Sequence, residues 1–335
     1  MGTLLLTQEQ VKELVTMPEV LDAVEKTFRG MGEGNVVNPT KVHLDLGDGP
    51  SGLPYRAGMN SMPAYVGWQE SAGIKFIGGW EGNPEKGLPY ISGMILLVDP
   101  RDGRFLASMD GELVTALRTG AQSAVALKYL IANRQKPVIG LYGAGAQGRT
   151  QVAAIAAILD VGEFRVYDIR PEAAERFADE MSSQAGVPVR KVSSPEEAAE
   201  GADALVSVTH ARNKFITNEM VKSGMTVCPL GSFRECADKL ILSVDKIIVD
   251  HVGQTLHRGA LKEVVESGRL DEKDLYATIG EVVAGKKKGR ENGEERILCI
   301  PIGTGAMDIA VATAAYRKAL EQGVGVDFEF VRHQG

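Results

Sequence analysis

The chain has 335 residues, 44% apolar and 24% charged, the make-up of a globular protein long enough for two domains. Its formal net charge of −7 argues against general nucleic-acid binding, which needs a basic surface, and no apolar run approaches the roughly 20 residues of a membrane span. The opening Met1-Gly2-Thr3-Leu4-Leu5-Leu6 lacks the basic stretch of a signal peptide, so a cytoplasmic location is expected. Cys228, Cys236 and Cys299 show neither CxxC pairing nor zinc spacing. They read as reduced, buried thiols, and no metal site is expected.

Residues 7–29 read as helix in two pieces. Thr7 with Gln10, and Thr16 with Glu19 around Pro18, form two capping boxes. From 38 to 110 the texture becomes strand-rich and is punctuated by Gly and Pro. Residues 41–46 alternate, and 73–77 and 94–98 are short β-like runs. Residues 112–134 form a long helical stretch. Strand candidates at 137–142, 164–168, 204–209, 226–231, 246–250 and 297–302 then alternate with helix candidates at 147–160, 171–185 and 195–201, which implies βαβ units and a parallel sheet. A last helix is expected from Asp308 to Gln322, stopped by Gly323. Lys286-Lys287-Lys288 reads as a solvated helix end.

The strongest local motif is Gly143-Ala144-Gly145-Ala146-Gln147-Gly148. An apolar strand precedes it, an Ala-rich helix follows, and Asp168 ends a second strand about 20 residues on, the context that a dinucleotide fingerprint requires. Gly143 permits the tight turn, Gly145 lets the backbone approach a pyrophosphate, and Gly148 lets helix and strand pack. The helix N-terminus stabilises phosphate charge. Asp168 suits ribose hydroxyls and repels a 2′-phosphate, which favours NAD, while Arg170 leaves NADP open. Thr209 and Gly231-Ser232 end later strands, where open α/β sheets bind ligands. The expected class is α/β: a Rossmann-type doubly wound sheet with a strand-rich α+β domain.

Beyond the loop, Pro39-Thr40-Lys41-Val42, Met62-Pro63-Ala64, Gly73-Ile74-Lys75, Gly82-Asn83-Pro84 and Thr115-Ala116-Leu117-Arg118-Thr119-Gly120-Ala121 carry a resemblance over nearly the whole length. So do Ala277-Thr278-Ile279-Gly280-Glu281-Val282 and Gly289-Arg290-Glu291. The chain resembles the ornithine cyclodeaminase/mu-crystallin family, and within it looks most like the archaeal-type alanine dehydrogenases. The resemblance implies a substrate and dimerisation domain at 1–118 and 309–335, a Rossmann domain at 119–308, and a homodimer. It also implies a 2-amino or 2-imino acid substrate. Lys75 would be the proton-transfer residue, Lys41, Arg56 and Arg118 would bind substrate, and Thr119 would join the loop as a cofactor contact. The physics agrees: an Arg fork suits a carboxylate, and a desolvated Lys among cations titrates nearer neutrality.

One departure stands out. Cyclodeaminases and alanine dehydrogenases carry an acid just after the Gly-Ser or Gly-Ala turn, and here that position is Phe233. Glu235 and Asp308 are the alternative carboxylates. The leading expectation is an NAD-dependent amino-acid dehydrogenase or imine reductase. A cyclodeaminase with an internal redox cycle and a non-catalytic NAD(P)H-dependent binding protein are the alternatives. Of five scattered histidines, His43 shares a strand face with Lys41 and is a candidate pocket residue.

Overall fold

The structure is a computed structural model describing residues 2–231 and 234–330. Ser232, Phe233 and His333 therefore lie outside the described residues. The chain divides into two compact units, Met1–Arg118 with Thr304–Gly335, and Thr119–Gly303. No helix among the described residues is long and apolar enough to cross a membrane.

In chain order, the first unit contains β1 (Thr3–Leu6), α1 (Gln8–Leu14), α2 (Met17–Glu33), β2 (Val36–Val37), β3 (Val42–Asp45), β4 (Ala57–Val66), β5 (Ser71–Trp80), β6 (Ile91–Val98) and β7 (Phe105–Asp110). The boundary after Arg118 falls within α3 (Glu112–Leu130). The second unit contains β8 (Val138–Tyr142), α4 (Ala146–Ile158), β9 (Glu163–Tyr167), α5 (Pro171–Ala185), β10 (Val189–Lys191), α6 (Pro195–Ala199), β11 (Ala204–Ser207) and β12 (Thr226–Pro229). It continues with α7 (Asp238–Ile241), β13 (Lys246–Val249), α8 (Val252–Thr255), α9 (Lys262–Glu266), β14 (Ala277–Thr278), α10 (Ile279–Val283) and β15 (Ile297–Ile300). The chain then returns to the first unit as α11 (Gly305–Gln322) and β16 (Val326–Phe328).

Both N-terminal capping pairs form. Thr7 exchanges bonds with Gln10, and the Thr16 backbone N–H and hydroxyl both donate to Glu19. The first unit is a sheet in the order β16-β1-β7-β6-β5-β4-β2, with β3 also paired to β4. Its longest ladder joins β4 to β5 over ten residue pairs. Sequence reading missed β4, because Pro63 argues against a strand interior. Pro63 falls in the break between the β3 pairing, which reaches Ser61, and the β2 pairing, which begins at Tyr65. Alternation puts Lys75, Ile77, Met62 and Ile95 on the face covered by α11, where all four are buried. Val42, Phe76 and Met94 line up in one row on the opposite face, with Leu44 beside them, and all four are exposed.

The second unit is an all-parallel sheet in the order β10-β9-β8-β11-β12-β15-β13-β14. The order reverses direction between β8 and β11, the switch point beside which open α/β sheets bind ligands. β11, β12, β13 and β15 are buried along their whole length, as strands covered on both faces must be. The three cysteines are buried without disulfides.

Candidate functional site

In the first unit, Lys75 projects from an otherwise apolar strand into a fully buried position. Its Nζ lies 2.6 Å from Asp308 Oδ2 and donates to Thr115 Oγ1 at 3.0 Å. The other Asp308 oxygen accepts from Arg118 Nε at 2.9 Å. One buried carboxylate thus bridges an ammonium and a guanidinium. Thr115 and Arg118 reach the same cluster because a spacing of three puts them on one face of α3.

The start of α11 is what brings Asp308 to Lys75. A Cβ at Gly305 would lie 2.5 Å from Met62 O, and Met62 is the β4 partner of Lys75. Gly305 therefore lets the helix start directly on this row of the sheet. Asn38 Oδ1 accepts from the Ala306 N–H at 2.9 Å, supplying a cap from a distant segment. The helix begins three residues before the expected Asp308 for this reason.

Burial pushes the Lys75 ammonium down to about 7; Asp308 opposes that shift, while the Arg118 and Lys41 cations add to it. Lys41 directly precedes β3, and continuing the register sets it opposite Met62, in the same row as Lys75. His43 shares this face. Its ring nitrogens lie 3.2 Å from Asn60 Oδ1 and 3.2 Å from Asp48 Oδ1. Lys41, Lys75 and Arg118 are thus brought together, with Asp308 among them. Arg56 is not: its guanidinium pairs with Glu81 at 2.5 Å. Arg56 lies one residue beyond the Ala57–Trp80 pair, which is five rungs from Met62–Lys75, so its backbone is about 20 Å along the chain from Met62.

In the second unit, the glycine loop joins β8 to α4. Gly143 has φ +104°, a conformation open to glycine. A Cβ at Gly148 would lie 2.3 Å from Gly143 O. Nothing lies within 4 Å of a Cβ built on Gly145, so the backbone there is open to a ligand. Ala146 begins α4, and Gln147 Oε1 is buried without a hydrogen-bond partner among the described residues. These observations fit a dinucleotide phosphate at the helix N-terminus. Arg149 donates to the carbonyls of Ala144 and Gly145 at 3.2 and 3.3 Å and is itself held by Glu180.

Asp168 Oδ2 accepts from Ala144 N at 2.9 Å, tying the second strand to the loop. Its Oδ1 accepts from the backbone of Arg170 at 2.9 Å, and the Arg170 side chain is exposed. Thr119 O accepts from Gln151 of α4 at 3.3 Å. The two helices approach closely there, because a Cβ at Gly120 would sit 2.3 Å from Thr150 O. Thr209 and Gly231 follow β11 and β12, as expected, at the carboxyl ends of adjacent strands.

Sequence reading missed Ser207 and did not assign Glu235 a place. Both belong to a buried cluster with Thr209. The available signal was alternation: Ser207 and Thr209 are two apart at a strand end, so they share a side. Among the described residues no group of three or more His, Cys, Asp or Glu is arranged to hold a metal ion.

Residues 1–323 match the ornithine cyclodeaminase/mu-crystallin family. The chain belongs to that family. It is 36% identical to the alanine dehydrogenase of Archaeoglobus fulgidus, over 99% of this chain and 100% of that one. The structure of Thermococcus litoralis Δ(1)-pyrroline-2-carboxylate reductase in complex with NADH and L-proline superposes with a TM-score of 0.91 at 34% identity, covering 97% of this chain and 100% of that chain. An archaeal alanine dehydrogenase dimer with bound NAD gives 0.91 at 35% identity, covering 99% and 100%.

Proposed function

We propose that this chain is an NAD-dependent oxidoreductase that interconverts a 2-amino acid and its 2-imino acid. The observation that carries the reading is the buried Lys75–Asp308–Arg118 cluster, found in a chain that also has an open dinucleotide loop. A fully buried ammonium is costly, and here it is held close to neutrality, the range suited to proton transfer at physiological pH. The relatives support the substrate class, being an alanine dehydrogenase and an imine reductase crystallised with L-proline.

Arg118 would grip the substrate carboxylate through its guanidinium, with Lys41 as a second cation. Lys75 would hand a proton to the imine nitrogen during reduction and take it back from the amine during oxidation. The bound nicotinamide supplies or accepts the hydride at Cα. When the imine is acyclic, water then adds to it and ammonia leaves. The first unit would be the substrate domain and the second the cofactor domain, with Gly143, Gly145, Ala146, Gln147, Gly148, Asp168 and Thr209 about the dinucleotide. Asp168 favours NAD over NADP by repelling a 2′-phosphate. The exposed apolar row Val42–Phe76–Met94 supports a homodimer formed through the first unit, since such patches mark interaction surfaces.

The test is NADH oxidation with a panel of 2-oxo acids plus ammonium and of preformed cyclic imino acids. Turnover on one or more members is expected. No turnover across the panel would overturn the reading. Ammonia release from ornithine or lysine with no net change in NADH would assign an internal redox cycle instead.

A further inference from the structure

A cavity of 440 Å³ lies in the first unit, within the roughly 300–1,000 Å³ of small-molecule sites. Three segments build it: the start of α2 with Val15 just before it, the turn Trp68–Gln69 between β4 and β5, and the second half of α11. It stands apart from the Lys75 cluster. Arg317 in its wall follows Asp308 by nine residues on α11, which is about 13 Å along the axis and half a turn round it. One side of α11 thus serves Lys75 and the other serves this cavity.

The walls carry opposite charge. Glu19 and Asp22, three apart on one face of α2, make an acidic wall, and Arg317 and Lys318 of α11 make a basic one. Val15, Ala23, Ala314 and the Trp68 ring supply an apolar lining between them. Lys318 pairs with Glu19 at 2.5 Å across the mouth. Lys26, whose ammonium lies 5.5 Å from the Trp68 ring centroid, pairs with Asp22 at 2.8 Å. Both pairs are solvent-accessible, and such pairs contribute about 0–1 kcal/mol, so charges on a ligand can replace them at little cost. Arg317 Nη2 donates to the Gln69 carbonyl at 2.6 Å. The Gln69 side chain is buried. Its Nε2 donates to Ala310 O at 3.2 Å, while its Oε1 has no hydrogen-bond partner among the described residues. An unpaired buried acceptor is costly, and a donor on a bound molecule would relieve it.

We propose that this cavity binds a free α-amino acid with an apolar side chain, at a site separate from the Lys75 cluster. A zwitterion matches the two walls. Its ammonium meets Glu19 and Asp22 and donates to Gln69, and its carboxylate meets Arg317 and Lys318. Its side chain lies against Trp68 and Ala314. A ligand with a single charge would leave one wall uncompensated.

Calorimetric titration of the full chain with L-leucine, L-methionine and L-phenylalanine tests this. At least one is expected to bind with a dissociation constant of about 1 mM or tighter. Its N-acetyl form, which lacks the ammonium, and the corresponding amine without the carboxylate should each bind at least about tenfold more weakly. Ala314→Trp fills the cavity and should abolish binding, with a thermal midpoint that reports whether the fold is kept. Asp22→Asn is an exposed change with little effect on folding and should weaken binding about tenfold. An amino acid bound only at the Lys75 cluster would keep its affinity in both variants. That result, no saturable binding of any of the three, or equal affinity for the singly charged analogues would overturn the proposal and leave the redox reading untouched. Should Ala314→Trp unfold, unchanged affinity in Asp22→Asn alone overturns it.

Discussion

Asp308→Asn removes the carboxylate that Lys75 and Arg118 share without changing its size. Both cations are buried, and Asp308 lies 2.6 and 2.9 Å from them. At an effective dielectric constant of about 20, a charge pair about 4 Å apart is worth about 4 kcal/mol, or about three pKa units. Relaxation and water entry return part of this, so a downward shift of about two units at Lys75 is expected. The sign is fixed: Asp308 raises the Lys75 value against the burial that lowers it to about 7, so its removal lets Lys75 lose its proton at lower pH. In imine reduction Lys75 must start protonated. The alkaline limb of kcat/KM, set near pH 7 in the wild type, should therefore move to lower pH in D308N. The variant should also lose about 3 kcal/mol of stability, the usual cost of breaking a buried pair. A pH–rate profile of imine reduction decides the matter. A folded D308N with an unmoved alkaline limb would refute the assignment of that limb to Lys75.

Lys75→Met should lower kcat by about 10²- to 10⁴-fold, the usual worth of a positioned proton donor, while NADH affinity stays unchanged; unchanged turnover would remove Lys75 from the chemistry. The same variant has a stability signature. The folded-state value of Lys75 is depressed from 10.5 to about 7, so the unfolded chain binds the extra proton between those limits and wild-type stability should rise with pH across that window. K75M should lack this rise in denaturant titrations, and a retained rise would point to another group. Asp168→Ala should weaken NADH binding and improve NADPH relative to NADH, because it removes the carboxylate bonded to Ala144 N and to Arg170 N; an unchanged NADH-to-NADPH affinity ratio would count against its ribose role. Phe76→Glu places a charge in the exposed apolar row of the first unit, and sedimentation should then show a monomer in place of the expected dimer. A dimer that persists at low micromolar concentration would place the interface elsewhere.

The dinucleotide loop was legible because its determinants are local. Gly143, Gly145 and Gly148 lie within six residues, and Asp168 follows at the distance set by one βαβ turn. The capping boxes at Thr7 and Thr16 were legible for the same reason. What escaped depends on distant contacts. Asp308 meets Arg118 across 190 positions, and no periodicity in either segment announces that pairing. β4 was hidden by Pro63, which the sheet tolerates only because β2 and β3 leave a break there. β1 was hidden because Thr3–Leu6 has no alternation; only its pairing with β7 and β16 makes it a strand. Arg56 is placed apart from the other cations. The resemblance grouped it with Lys41, Lys75 and Arg118, but the register holds it at the far end of β4, paired to Glu81.

The most direct test of the account is the fate of the transferred hydrogen. NADH with both hydrogens of the transferring nicotinamide carbon replaced by deuterium is supplied with an accepted imino acid, and the amino-acid product is analysed by mass spectrometry. The account requires one deuterium at Cα for each NADH consumed, and about 10²- to 10⁴-fold less labelled product from Lys75→Met in the same time. Product without deuterium at Cα, or deuterium lost to solvent, would contradict hydride transfer to the imine carbon, and with it the central claim.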